Sequence, residues 1–127
     1  MKKMLIVISA VFVVLIAVYL IMFFNTNSLM NDVEDVMKGN ISKEVTAGLP
    51  VDMYNRKGDL GTTSVNVKIH RIFVLNNFFD GYVWVNYTCE GFDSSGKQTY
   101  GSWKVNSCWK IHKNNGKWEI IAIYEGP

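Results

Sequence analysis

The sequence predicts an α+β chain: an N-terminal transmembrane helix, a short amphipathic helix, then a curved antiparallel sheet of about four strands. Three patterns carry that expectation. An unbroken apolar stretch lies near the amino terminus, one segment with helical apolar spacing follows it, and the carboxy-terminal half places apolar residues at every second position.

The apolar stretch runs from Met4 to Phe24, with one polar member, Ser9, and no charge. At about 1.5 Å of rise per residue, a helix of that length matches the roughly 30 Å hydrocarbon layer of a bilayer. Met4, Leu5, Ile6, Val7, Phe12, Leu15, Ile16, Leu20 and Phe24 are its expected anchor residues. A secretory signal has a shorter apolar region, about 7 to 15 residues, closed by small residues at the cleavage site. Phe23-Phe24-Asn25-Thr26-Asn27 has no such pattern and no cysteine to accept lipid, so an uncleaved signal anchor is expected over residues 1–24.

Lys2 and Lys3 precede the span, and positive charge next to a membrane helix stays on the cytoplasmic side. The expected location is the cell membrane, crossed once, with the amino terminus in the cytoplasm and the carboxy-terminal domain outside. Of the 13 Lys and Arg these two belong to the anchor flank, which leaves 11 against 11 Asp and Glu and no net charge outside. A nucleic-acid partner needs a basic stripe to neutralise phosphates, and none is present.

Asn25 to Ser28 reads as a polar linker whose side chains can cap the helix that follows. The domain is expected over residues 29–127. Leu29, Met30, Val33, Val36 and Met37 recur at helical spacing, with Asp32, Glu34 and Asp35 on the other side and Gly39-Asn40 as the stop. Residues 40–64 carry Gly48, Pro50, Gly58 and Gly61 and give only a weak sign of helix around Ser42 to Ala47.

From Thr63 the period is two. Val65, Val67 and Ile69 alternate with polar residues, and the alternation breaks after Arg71, as a bulge would break it. Strands are expected over Tyr82 to Glu90, Thr99 to His112 and Trp118 to Tyr124. Asn115-Gly116 suits a two-residue type I′ turn, which needs positive φ at both positions. That turn sets Ile111 opposite Ile120, Trp109 opposite Ala122 and His112 opposite Glu119; keeping apolar residues on one face sets Val85 opposite Val105 and Tyr87 opposite Trp103. The rich face then holds Val83, Val85, Tyr87, Trp103, Val105, Trp109, Ile111, Trp118, Ile120, Ala122 and Tyr124, and the other holds Tyr82, Trp84, Ile121 and Ile123. In this register Cys108 faces Tyr82, and Cys89 and Cys108 point to opposite faces, too far apart for a disulfide. Both are expected to be free, small and buried.

The helix ending in "MKGN" and the closing meander "WKIHKNNGKWEIIAIYEGP" resemble the nuclear-transport-factor-like or cystatin-like superfamily of α+β folds, over roughly residues 28 to 125. The resemblance implies a curved antiparallel sheet wrapped around helices. Enzymes of that superfamily place His and Asp inside the pocket, whereas His70 and His112 here fall on polar strand positions. Single-pass proteins with an outer domain like this include assembly factors of conjugative secretion machines and short bacterial envelope proteins. Their likeness implies a partner-binding part rather than an active site, and so no enzyme and no cofactor.

No CxxC, HExxH, GxSxG or phosphate-binding glycine loop occurs in the sequence. Asp93-Ser94-Ser95-Gly96 lacks the spaced carboxylates of a calcium loop and reads as a turn. Asn40-Ile41-Ser42 and Asn86-Tyr87-Thr88 match the glycosylation triplet, which matters only in a eukaryotic secretory pathway. Two pairs stand out. Adjacent Phe78 and Phe79 at a turn suit contact with a partner groove or a headgroup layer. His112 opposite Glu119 suits a pH-sensitive pair. The expected function is a non-enzymatic, membrane-anchored interaction domain of the cell envelope, such as an assembly or immunity factor, with an envelope protein as partner. The alternative is a module that holds a small apolar ligand or lipid on the aromatic sheet face.

Overall fold

The computed structural model describes residues 1–125, so Gly126 and Pro127, the end of the expected domain, lie outside the described residues. Lys2–Phe24 form α1, an apolar helix in which no residue is buried. It is long and apolar enough to cross a membrane, a property that anchors and signal sequences share. The second helix, α2 (Asn27–Lys38), begins after only two residues rather than the expected four. The reason is local. The Asn25 and Thr26 amides bond back to the Ile21 and Phe23 carbonyls, and the Thr26 hydroxyl donates to Phe23 O at 2.8 Å instead of capping α2.

All five apolar residues expected on one side of α2 are buried. The helix ends where Gly39 adopts φ 76°, with its amide on Val36 O and the Asn40 amide on Asp35 O. These are the paired bonds of a Schellman turn, and the left-handed residue favours glycine. The next stretch holds a one-turn α3 (Lys43–Thr46) and two 3₁₀ turns, Pro50–Tyr54 and Asp59–Gly61. Side chains tie it together: Thr46 Oγ1 donates to Asp52 Oδ1 at 2.6 Å, and Asn55 Nδ2 donates to Thr46 Oγ1 and to Ile41 O. Thr46, Tyr54, Asn55 and Thr62 are buried. Period-based reading misses a segment held by such contacts.

Four strands follow, β1 (Ser64–Asn76), β2 (Asp80–Phe92), β3 (Gln98–Asn114) and β4 (Lys117–Glu125), in one open antiparallel sheet of order β1-β2-β3-β4. The bulge expected after Arg71 is present, with Ile72 as the extra residue. Asn115 (φ 52°) and Gly116 (φ 77°) form the closing turn, and Ile111 pairs with Ile120 and His112 with Glu119 as expected.

Bulges correct the rest of the register. At the β2–β3 turn Phe92 pairs with Gln98, but two extra residues in β3 displace the pairing so that Val85 meets Ser107 and Tyr87 meets Val105. A two-residue displacement preserves faces, so the core side of β2 is unchanged. The second bulge does turn Trp103 outward, and its indole N–H donates to Glu90 Oε1 at 2.9 Å. In β4 the extra residue is Ile121, so Trp109 pairs with Ile123 rather than Ala122. Ile123 therefore packs on the core while Ala122 and Tyr124 move to the outer side. Cys108 faces Trp84, five residues from Cys89 and on the opposite face; both cysteines are free, Cys89 buried and Cys108 half-buried.

The core lies between the inner sheet face and the helices. Val74, Val83, Val85, Trp109 and Ile111 from the sheet meet Leu29, Val33, Val36 and Met37 from α2, with Tyr54 closing one end. The last turns of α1 run along the free edge of β1. The Val74 amide donates to Tyr19 Oη at 3.4 Å, Asn76 Nδ2 donates to Met22 O, and the Tyr19 and Phe73 rings lie 5.5 Å apart. Arg71 clamps the joint. Its guanidinium donates to Phe23 O at 2.6 Å, Thr26 Oγ1 at 2.9 Å and Asn27 Oδ1 at 2.6 Å, and lies 4.0 Å from the centre of the Phe23 ring. It adds a charged donor to the Phe23 carbonyl at the end of α1, which also accepts from the Thr26 amide and hydroxyl.

Candidate functional site

Concavities of differing chemistry lie among the described residues, and three are distinct in their lining. The first is a groove of about 330 Å³ between α2, residues 41–51 and the start of β4. Leu29, Val33, Val36, Ile41 and Ile120 line its floor, and Val45 and Leu49 stand on its lip, 65% and 52% exposed. Asp32 and Lys117, 3.5 Å apart, mark the polar rim. None of its lining residues belongs to α1. Trp118 borders it, 3% exposed, and its indole Nε1 has no hydrogen-bond partner.

The second concavity, about 160 Å³, lies on the inner face at the far end of the sheet. A hydrogen-bonded network borders it. Tyr54 Oη donates to Glu125 Oε1 at 2.7 Å and lies 3.1 Å from Ser107 Oγ; Tyr87 Oη donates to the same Glu125 oxygen at 2.6 Å; the Trp109 indole N–H donates to Tyr54 Oη. Across the cavity the Arg56 guanidinium lies 3.8 Å from the Tyr100 ring centre. Burial, and then the hydrogen bonds to Glu125, push both Tyr54 and Tyr87 well above the ordinary phenol range. Burial likewise pushes the Cys89 thiol up to about 11, and it rests 3.6 Å from Met37 Sδ. These groups hold their protons, and the network ties β2, β3 and β4 to the 3₁₀ turn.

The sign of that effect gives a prediction. Each group binds its proton more tightly folded than unfolded, so its contribution is whole below the unfolded pKa, 9.0 for the thiol and 10.0 for the phenols, and is lost as pH rises toward the folded value. Urea midpoints measured at pH 8, 9, 10 and 11 are expected to fall steadily from pH 9 upward. Cys89→Ala is expected to flatten the first part of that fall, between pH 9 and about 11. A constant midpoint across this window would show that these groups are not held protonated by the fold.

The third concavity is a shallow depression of about 540 Å³ on the outer sheet face, lined by Phe73, Trp84, Cys108 and Tyr124. The Phe73 and Trp84 rings pack at a tilt, 5.5 Å between centres, and those of Tyr82 and Trp84 likewise at 5.9 Å. The β1–β2 turn carries Phe78, with φ 71°, and Phe79; both are exposed, and Phe79 the more so. Asn76 Oδ1 accepts from the Phe78 amide, and Asn77 Oδ1 from those of Phe79 and Asp80, which holds the two rings out.

The other residues expected at a site are placed as follows. Met4, Leu5, Ile6, Val7, Phe12, Leu15, Ile16, Leu20 and Phe24 are all exposed along α1. His112 and Glu119 are cross-strand partners, but the carboxylate that His112 contacts is Asp80, with Nδ1 and Oδ1 2.7 Å apart. The β2–β3 pairing sets Asp80 opposite His112, a contact that the displaced register hid from the sequence. His70 is exposed opposite Asn86. Asp93 Oδ1 accepts from the Ser95 hydroxyl and from the Ser95 and Lys97 amides, which keeps its carboxyl below the usual range and closes a turn. Among the described residues no group of three or more His, Cys, Asp and Glu is placed to hold a metal. Sequence reasoning missed Arg71, Tyr54 and Glu125. A lone Arg at a bulge was the only sign of the first, and the others lie in or against the segment without periodicity. No protein-family model and no curated protein matches the chain.

Proposed function

We propose that the chain is a non-enzymatic, membrane-anchored protein of the cell envelope that presents the groove between α2 and β4 to a segment of another envelope protein, in the manner of an assembly or immunity factor. In this reading α1 crosses the bilayer once, Lys2 and Lys3 hold its start in the cytoplasm, and the domain from Asn27 onward stands outside. The observation that carries it is the groove itself. Two large apolar side chains, Val45 and Leu49, stand exposed around an apolar floor with an ion pair at one rim, the arrangement of a contact that buries a few anchor side chains. The resemblance to the cystatin-like superfamily points the same way.

The test is crosslinking in intact cells, followed by identification of what co-purifies. Val45→Glu with Leu49→Glu is expected to abolish partner recovery at unchanged protein level, because both positions are surface ones, whereas Phe78→Ala with Phe79→Ala is expected to leave it intact. Recovery that survives the groove pair and is lost with the turn pair would move the contact to the turn.

A small apolar ligand is the second reading, favoured by the apolar floor of the groove and by a volume just within the ordinary range of ligand pockets, about 300 to 1,000 Å³. On the inner face α2 and the 3₁₀ turn lie over Trp109, which has no exposure, so this reading places the ligand at the edge of that face, in the groove bordered by Trp118 and Ile120. Organic extraction of the purified protein and mass spectrometry separate the two readings, since a ligand leaves a stoichiometric extract and a protein partner none.

A further inference from the structure

We propose that the apolar end of the outer sheet face, built by Phe73, Tyr82, Trp84 and the Phe78–Phe79 turn, lies in the headgroup-to-acyl boundary of the bilayer that α1 crosses. This inference rests on the reading of α1 as a retained anchor. The occupant of the outer depression is then lipid.

Depth carries the argument. Tyr19 lies five residues before the end of α1, about 7 Å along its axis, and its hydroxyl accepts the Val74 amide. Asn76 reaches the Met22 carbonyl in the last turn. The end of β1 thus shares the depth of the last turn and a half of α1. A helix immersed to Phe24 carries the end of that strand, and the turn after it, down to the lipid boundary.

The side chains at that depth suit it. Ile72, Phe73, Leu75, Phe79 and Tyr82 are all exposed, from 38% to 67%, and they are contiguous along the end of one face. Burying them in the interface removes apolar area from water, and Trp and Tyr favour that zone because an apolar ring carries a polar edge. The rest of the same face, further from α1, turns polar with Lys68, His70, Asn86, Thr88, Glu90 and Asn106. An apolar end and a polar remainder are what a partly immersed sheet needs. Lys110, opposite Tyr82 on this face, and Asp80, paired with His112 beside the turn, limit the immersion to the boundary layer, where a lysine can extend its ammonium to the headgroups.

The Arg71 clamp makes the placement rigid. With α1 bonded through its Phe23 carbonyl to β1, the domain cannot lift away on a flexible tether.

The experiment uses the full chain in vesicles of phosphatidylcholine brominated near the glycerol end of the acyl chains, read by tryptophan fluorescence. Trp109 and Trp118 are buried, and Trp103 lies toward the polar end of the outer face, so Trp84 is the indole the bromines reach. The unsubstituted chain is expected to be quenched, and Trp84→Phe to lose most of that quenching while its melting curve is unchanged. Flotation with the vesicles after a carbonate wash reports the anchor separately. A chain that floats with Trp84 unquenched overturns the seating and leaves the anchor reading standing. A chain that does not float overturns both. If Trp84 is unquenched and a short bismaleimide links Cys108 of one copy to Cys108 of another, the face joins two copies instead, which also overturns the proposal.

Discussion

Trp109→Ala is expected to unfold the domain at physiological temperature, lowering its stability by about 3 to 5 kcal/mol. Trp109 has no solvent exposure and sits at the centre of the inner face, against the Tyr54 ring at 6.2 Å, and its indole N–H donates to Tyr54 Oη at 3.0 Å. Two losses add. Removing the ring leaves a cavity that α2 and the sheet cannot close, and a buried phenol oxygen loses a donor while keeping its bonds to Ser107 and Glu125. A domain of this size has in total about 5 to 15 kcal/mol, so the loss consumes a large share. Near-ultraviolet circular dichroism of the detergent-solubilised chain is expected to show no fixed aromatic signal at 37 °C. Trp109→Phe, which keeps most of the volume, is expected to remain folded with a reduced midpoint. A cooperative melt of Trp109→Ala within a few degrees of the unsubstituted protein would place the core elsewhere.

Arg71→Ala is expected to cost about 2 to 3 kcal/mol and to free α1 from the sheet. The side chain makes three hydrogen bonds across the junction, to Phe23 O, Thr26 Oγ1 and Asn27 Oδ1, and covers the Phe23 ring. Partial burial disfavours its charged form, yet a guanidinium stays charged and each acceptor is favourably matched to it. Lysine provides one compact cation and cannot span the three acceptors, so Arg71→Lys is expected to recover less than half the loss. Hydrogen exchange is the direct readout: the Val74 backbone amide, bonded to Tyr19 Oη on the strand edge beside α1, is expected to exchange faster in Arg71→Ala while the β2–β3 amides keep their protection. Unchanged exchange at Val74 would show that the Tyr19 contact holds the edge by itself.

The class of the fold was legible because both periods are strong. Five apolar positions define α2, and alternation defines the inner face of β2, where Val83, Val85, Tyr87 and Cys89 are all buried. Gly39-Asn40 and Asn115-Gly116 marked two chain reversals through the positive φ each requires. What escaped were the bulges in β3 and β4. A bulge adds one residue without a signature of its own, so Trp103 and Tyr124, apolar by type, went to the inner face on paper and lie on the outer one in the molecule. The groove escaped for a different reason. Ile41, Val45, Leu49 and Val51 come from a stretch held by Thr46, Asp52 and Asn55, where neither period runs. The reversal that carries Phe78 and Phe79 was legible, because flanking Asn76-Asn77 and Asp80-Gly81 announce a tight turn, and both rings are exposed there.

The two-residue connection between α1 and α2, locked by Arg71, fixes the azimuth of the domain about the axis of α1. Anything that grips one stripe of that axis therefore also decides which side of the domain faces sideways, with no swivel between them. Adding a single alanine near the end of α1 would turn the domain by about 100° relative to the stripe, and four would bring it back to within about 40° of its starting bearing.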